Sequence, residues 1–284
     1  MEINERNIKM WSTIGSRATL GIAALDLAKK MENLMVLTCD VSTSAGLDRY
    51  RKTFPDKYLD LGIAEQNMMG VAAGLASENF NVITTTFAPF QTMRCCEQIK
   101  VNLGYMGQKV CMVGIASGLV LGTLGFTHCC IEDVGILRSI PGIIIISPAD
   151  SLETVKALEA AVKLEKPSYI RLTGSSNNPI VYSKDYKFEI GKSIVLKDGK
   201  DITIFCTGVM VKQCLEAAKI LDEKKIHAKV VNMHTIKPID KKAVEESCDS
   251  KLIVSAEEHN VVGGLGSAIA EYKAQLSKSP KQLF

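Results

Sequence analysis

Glu65 stands at the head of an apolar, small-residue run, Met68-Met69-Gly70-Val71-Ala72-Ala73-Gly74-Leu75-Ala76, within the segment Asp60-Leu61-Gly62-Ile63-Ala64-Glu65-Gln66-Asn67. Burial penalises the charged form of a carboxyl and pushes its pKa up, and a carboxyl poised to share a proton is a tool of acid–base chemistry. The plainer account is a helix cap, a negative charge meeting unpaired N–H groups. His128 closes a glycine-studded stretch holding Gly114, Gly118, Gly122 and Gly125, residues that allow close backbone approach to a ligand or partner. Asp40 and Ser44 lie just past the apolar run Leu34-Met35-Val36-Leu37-Thr38-Cys39. Phe87 and Phe90 flank Pro89, which halts regular structure and leaves two aromatics beside a loop.

Elements that would carry these residues can be read from periodicity. Leu20, Ala23, Ala24, Leu27 and Met31 recur at helical spacing, so a helix over 12–31 is predicted, with Arg17 in its first turn. Short apolar runs at 34–39, 110–113 and 143–147 have the character of strands buried on both faces. Further strands are predicted at 58–61, 81–87 and 168–172, and helices at 91–103, 132–139 and 151–164. Strands alternating with helices give a parallel, doubly wound α/β sheet, in which ligands are met at the carboxyl ends of strands. That rule is what makes Asp40, Ser44 and His128 candidates. Residues 173–200 break the rhythm. A second, smaller α/β unit follows, with strands at 202–205, 228–233 and 252–255, helices at 209–223 and 240–247, and a glycine turn opening a last helix. The expected division is 1–176, a linker at 177–200, and 201–284.

Bulk properties exclude several classes. The 284 residues carry 34 basic and 31 acidic side chains, and a net charge of +3 with scattered lysines is no nucleic-acid footprint. No apolar run reaches membrane-spanning length, and residues 1–9 are polar and mixed in charge, unlike a signal peptide. A cytoplasmic location is expected, with nine reduced cysteines. Cys95-Cys96 and Cys129-Cys130 lack the separated pairs of a zinc site, so no metal is assigned to this chain. Gly263-Gly264-Leu265-Gly266 is not GxGxxG and has no acid at dinucleotide distance.

The layout resembles the transketolase family of thiamine diphosphate enzymes over nearly the whole chain. Gly62-Ile63-Ala64-Glu65-Gln66 is similar to the family's catalytic glutamate segment in the form seen in 1-deoxyxylulose-5-phosphate synthase. Thr86-Phe87-Ala88-Pro89-Phe90, with Arg94 and Glu97-Gln98 behind it, is similar to the segment whose aromatics pack on the cofactor's aminopyrimidine. Phe126-Thr127-His128, continuing through Ile131-Glu132-Asp133 to Leu137-Arg138-Ser139-Ile140-Pro141-Gly142, looks like the active-site histidine segment. Glu257-Glu258-His259 with Gly263-Gly264-Leu265-Gly266-Ser267-Ala268 resembles the C-terminal domain.

The resemblance implies thiamine diphosphate as cofactor, with Glu65 driving the aminopyrimidine tautomerisation that lets the thiazolium carbon lose its proton. Phe87 and Phe90 would hold the pyrimidine by stacking, with Asp40 also at the cofactor. His128 would orient or protonate substrate oxygens. Arg17, Ser44 and Arg94 match positions near the substrate's distal anionic group, which a guanidinium binds bidentately. The family's Gly-Asp-Gly metal motif is nowhere in the sequence, so Mg²⁺ and the diphosphate are expected on a partner, an N-terminal subunit carrying the diphosphate-binding domain, in an α2β2 assembly.

Departures from the family pattern concern the substrate. Leu124 stands where transketolase has an aspartate, the upstream loop 114–119 has no histidine, and Thr173-Gly174-Ser175 has no phosphate-binding arginine. A sulfonated or otherwise modified sugar, or contacts from the partner, would account for these. The C-terminal domain is expected to be shortened. Rival readings are a 1-deoxyxylulose-5-phosphate synthase-like carboligase, the β subunit of a 2-oxo acid dehydrogenase, and a non-catalytic subunit that stabilises its partner.

Overall fold

The computed structural model describes residues 1–174 and 176–284, so Ser175, one of the positions lacking the family's phosphate-binding arginine, lies outside them. Among the described residues the strands are β1 (Leu34–Thr38), β2 (Tyr58–Asp60), β3 (Asn81–Phe87), β4 (Val110–Ile115), β5 (Ile144–Ile146), β6 (Ser168–Arg171), β7 (Ile194–Lys197), β8 (Ile202–Cys206), β9 (Ala228–Asn232), β10 (Thr235–Lys237), β11 (Leu252–Ala256) and β12 (Lys281–Leu283). They form a seven-stranded sheet ordered β10-β5-β6-β4-β3-β1-β2 and a five-stranded sheet ordered β12-β11-β8-β9-β7. The α/β class read from the sequence is borne out.

β1 and β4 are buried along their whole length, because the helices on both faces of a parallel sheet leave no wet side. Thr38 is in register with both Asp60 and Thr85, and Thr86 with Gly114. The carboxyl ends of β1, β2, β3 and β4 therefore open on one edge, where the loops bearing Asp40, Glu65, Phe90 and His128 begin.

Some elements differ from the periodicity. The first helix runs Glu5–Lys30, capped by the Asn4 side chain, and breaks its helical geometry at Gly15 (φ 84°). Only Ile8 and Trp11 are buried before that break, so the amphipathic signal begins beyond it. The predicted 91–103 helix is instead a sequence of short turns, Ala88–Gln91 and Cys96–Gln98, followed by a π-helical segment Ile99–Tyr105. Pro89 is tolerated in the opening turn, where its missing N–H is not needed. The 177–200 stretch carries β7, which pairs antiparallel with β9. After the helix Leu265–Lys273 the chain adds β12, parallel to β11. The shortened domain expected from the sequence thus does include a further strand; three residues on a sheet edge give too little periodicity to be read.

The two halves are joined. β10 comes from the C-terminal half and pairs antiparallel with β5 of the first sheet, and one apolar cluster runs from Trp11 and Leu20 to Ile204, Val211 and Val230. At that junction Glu153 is fully buried. Its carboxyl accepts from the Ala149 N–H at 2.6 Å, the Tyr186 hydroxyl at 2.8 Å and Asn232 Nδ2 at 3.0 Å. Burial, then the charge of Asp150, pushes its pKa from 4.5 to about 7.

An acid whose pKa is raised on folding makes the native state bind the extra proton, so its contribution to stability falls as pH rises between the unfolded and folded values. Wild type should lose urea resistance relative to Glu153→Gln as pH goes from 4.5 to about 7, with no further relative loss above. A difference between the two proteins that is flat across that window would show that Glu153 does not titrate there.

Candidate active site

Glu65 opens the helix Glu65–Ser77, whose N-cap, Ala64, supplies no side-chain cap. Its carboxylate is 3% exposed and accepts from Arg94 Nη1 at 2.8 Å. The charge is thus answered by a cation from beyond Pro89, which is not what a simple helix cap would do. Gln66 Nε2 donates to the Arg94 carbonyl at 3.1 Å, tying the same two segments a second time. Arg94 in turn lies over the Phe90 ring, 4.0 Å from its centroid. Phe90 meets Phe87 edge-on at 6.3 Å, and the His128 ring stands against both, at 5.9 Å from Phe87 and 5.4 Å from Phe90. Residues from three separate segments become one cluster.

A cavity of about 150 Å³ lies beside this cluster, bounded by Cys39, Asp40, Val41, Ile63, Glu65, Thr86, Phe87 and Phe90. A second recess of about 410 Å³ lies on the Arg94 side of Glu65, with Ala64, Gln66 and Asn67. Glu65 borders both. The first has aromatic and aliphatic walls with a carboxylate and a carboxylate-bearing loop at its rim, and Thr86 Oγ1 is buried without a hydrogen-bond partner among the described residues. That combination suits a flat heteroaromatic ring with hydrogen-bonding edges. Burial pushes the Cys39 thiol up to about 11, so it is a neutral wall of the cavity and no nucleophile.

Asp40 is exposed, in the left-handed region at φ 55°, and lines the cavity through a turn built by Asp60. One Asp60 oxygen accepts the N–H groups of Asp40 (2.9 Å) and Gly62 (3.0 Å), and the other accepts the Thr38 hydroxyl at 3.0 Å. Burial pushes the Asp60 carboxyl up, but these donors, with the Tyr58 hydroxyl, together hold it below its ordinary value. Asp60 builds the rim of the candidate site, and the sequence reading does not single it out. Its signal is an aspartate two residues before a glycine, the pattern of an Asx turn, and Gly62 does take φ 66°.

Arg17 is half-buried and has no ion-pair partner among the described residues, and Ser44 is exposed. The 39–47 loop that carries Ser44 seats on the first helix, where a Cβ on Gly46 would lie 2.8 Å from the Arg17 carbonyl oxygen. Neither Arg17 nor Ser44 lines the cavity beside Glu65. Of the other histidines, His227 is a surface partner of Asp222, and His234 is buried, stacked on Phe188 and pushed down to about 4 by burial. Leu124 is exposed on the loop before His128.

The family model "Transketolase, pyrimidine binding domain" matches residues 12–178, and "Transketolase, C-terminal domain" matches residues 191–283. The chain belongs to the transketolase family. It is 38% identical over 250 residues to a 6-deoxy-6-sulfo-D-fructose transketolase subunit of Clostridium sp. (strain MSTE9), covering 87% of this chain and 77% of that one. It is 35% identical over 269 residues to an apulose-4-phosphate transketolase subunit of Phocaeicola vulgatus, covering 94% and 85%. Among solved structures it superposes with TM-score 0.87 on one described as a split gene transketolase, inactive β4 tetramer, 38% identical and covering 95% of this chain and 88% of that chain. This transketolase chain is thus alike in length and fold to separate subunits, and no helix among its described residues is long and apolar enough to cross a membrane.

Asp60 gives a test of how the rim is built. Asp60→Asn should cost on the order of 1 kcal/mol at neutral pH, below the scale of a buried hydrogen bond to a charged acceptor because Asp60 is exposed. A carboxyl held below its ordinary value stabilises above 3.8 and loses that contribution as pH falls, so the gap between variant and wild type should close under acid. Urea unfolding of both proteins across pH checks it, and a gap that persists below that range would contradict the account.

Proposed function

We propose that the chain is the C-terminal-type subunit of a split, thiamine diphosphate-dependent transketolase that moves a two-carbon ketol unit from an anionic ketose to an aldose. The observation that carries this is Glu65, a buried carboxylate bordering an aromatic cavity whose size and lining suit an aminopyrimidine. When bound, thiamine diphosphate supplies the nucleophilic carbon that takes up the ketol fragment.

What this chain contributes follows from its residues. Phe87 and Phe90 offer the ring apolar faces, and Glu65 holds or releases a proton at a ring nitrogen, a task for a carboxyl shielded from water. Arg94 keeps that carboxyl aimed. Thr86 Oγ1 is a buried hydroxyl with no hydrogen-bond partner among the described residues, and Asp40 stands at the rim. His128, fixed against both phenylalanine rings, is placed to orient or protonate a substrate oxygen. Arg17, Ser44 and Arg94 are the cationic and polar groups offered to the distal end of the substrate.

Mg²⁺ and the diphosphate are assigned to an N-terminal partner subunit in an α2β2 assembly, and the complex to the cytoplasm. Two relatives are named for sugars that each carry an anionic group, a sulfonate and a phosphate. That supports an anionic ketose as donor.

The chain mixed with its N-terminal partner, thiamine diphosphate and Mg²⁺ should turn over sulfonated or phosphorylated ketoses, and should not use pyruvate. Glu65→Gln should lower turnover by about 10²–10⁴-fold, the range attributed to positioned acid–base groups, with the unfolding midpoint little changed. Unaltered turnover in Glu65→Gln would remove the proposed role, and use of pyruvate in place of ketoses would move the assignment to a carboligase.

A further inference from the structure

His128 sits in a loop between β4 and the helix Asp133–Arg138. The loop closes on itself by paired backbone bonds between Gly118 and Cys130, at 2.8 and 2.9 Å. Its tip does not bury its own apolar side chains: Leu119, Leu124 and Phe126 are 56%, 55% and 87% exposed. A loop that packs so little of itself is positioned by whatever grips its base.

That grip comes from the C-terminal half. The Glu258 carboxyl is pressed under the Gly118 turn, where a Cβ on Gly118 would fall 2.1 Å from Glu258 Oε2, an oxygen that is buried with no hydrogen-bond partner among the described residues. Gly118 takes φ 75°, a conformation glycine adopts freely. On the other side, Arg171 Nη2 donates to both the Glu258 carbonyl (2.8 Å) and the Cys130 carbonyl (3.2 Å). Arg171 is itself held by Asp133, with Nε 3.0 and 2.9 Å from the two carboxylate oxygens, and Tyr169 donates to Asp133 at 2.7 Å. Asn260 then donates twice to the Ile131 carbonyl, from its N–H at 3.1 Å and from Nδ2 at 2.7 Å. Both feet of the loop, Gly118-Leu119 and Cys130-Ile131, therefore rest on the segment 258–260.

We propose that Glu258 is a positioning residue for His128: the C-terminal half, through Glu258, holds the base of the His128 loop so that the ring stays against Phe87 and Phe90. This deepens the functional reading above and rests on it for its catalytic meaning, though its geometry stands without it. Burial pushes the Glu258 carboxyl up while the charge of Arg171 and the Leu119 N–H oppose this, as befits an acid wedged between the two halves.

The test uses the full chain, in which His128 is one of four histidines, so that His128→Asn identifies its ring signals by NMR. Glu258→Ala should shift or broaden the His128 ring signals and leave those of the distant surface residue His227 in place. Glu258→Gln, which keeps the same side-chain shape under Gly118, should restore them. Should Glu258→Ala not fold, Glu258→Asp withdraws the carboxyl by one methylene and should move the same signals. In the complex with partner, thiamine diphosphate and Mg²⁺, Glu258→Ala should reduce kcat by about 10- to 100-fold, the scale of a displaced catalytic group, with recovery in Glu258→Gln. His128 signals unmoved in the folded Ala or Asp variant would overturn the proposal. A moved His128 in a complex whose wild type turns over no ketose would support the grip and sink the functional reading instead.

Discussion

A carboxylate taken out of water has to find a donor, and at Glu65 that donor is Arg94. The pairing fixes more than one side chain. It brings the segment after Pro89 onto the start of the helix at 65, lays the guanidinium over Phe90, and so turns two aromatic rings toward the exit of β1. Glu65 and Phe90, both held by Arg94, are two of the residues that line the cavity. Leaving a buried charge unpaired is far more costly than making the pair is favourable, so the site's geometry is enforced by a penalty on every alternative.

The same logic recurs where the halves of the molecule meet. Arg171 and Asp133 are both buried, and removing one partner of such a pair typically costs about 3–5 kcal/mol. Arg171 also takes up carbonyls from Cys130 and Glu258, so this ion pair sits beneath the His128 loop and beside the C-terminal segment. Glu153, with Tyr186 and Asn232, makes a second polar junction, and β10 extends the first sheet. The C-terminal half is therefore part of the scaffold of the candidate site in a physical sense: it extends a sheet, shares an apolar core and touches the loop that carries His128.

The chain's membership of the transketolase family, shown by both domain matches, fits this architecture. The chain is alike in length to relatives that are separate subunits, and under the function proposed above the cavity beside Glu65 would be shared with a second polypeptide. Arg94 illustrates the consequence. Its sequence position makes it a candidate for the distal anion of a substrate, yet in this chain its Nη1 is on Glu65; its half-exposed remainder faces the recess beyond.

Sequence is enough to determine the α/β class, the strands buried on both faces, the order of the segments, and the candidates Glu65, Phe87, Phe90 and His128, because apolar periodicity and short motifs are local properties. The start of the first helix, the breakdown of the predicted 91–103 helix and the edge strands β10 and β12 were not legible. A kink at Gly15, a proline in a first turn and three-residue strands all leave weak or contradictory periodicity. Only the folded chain determines what those candidates touch: that Glu65 meets Arg94 instead of its own helix, that Asp60 builds the rim, and that Glu258 reaches Gly118. Those contacts join residues far apart in the chain, and their energies come from burial and pairing across the fold, which no local pattern encodes.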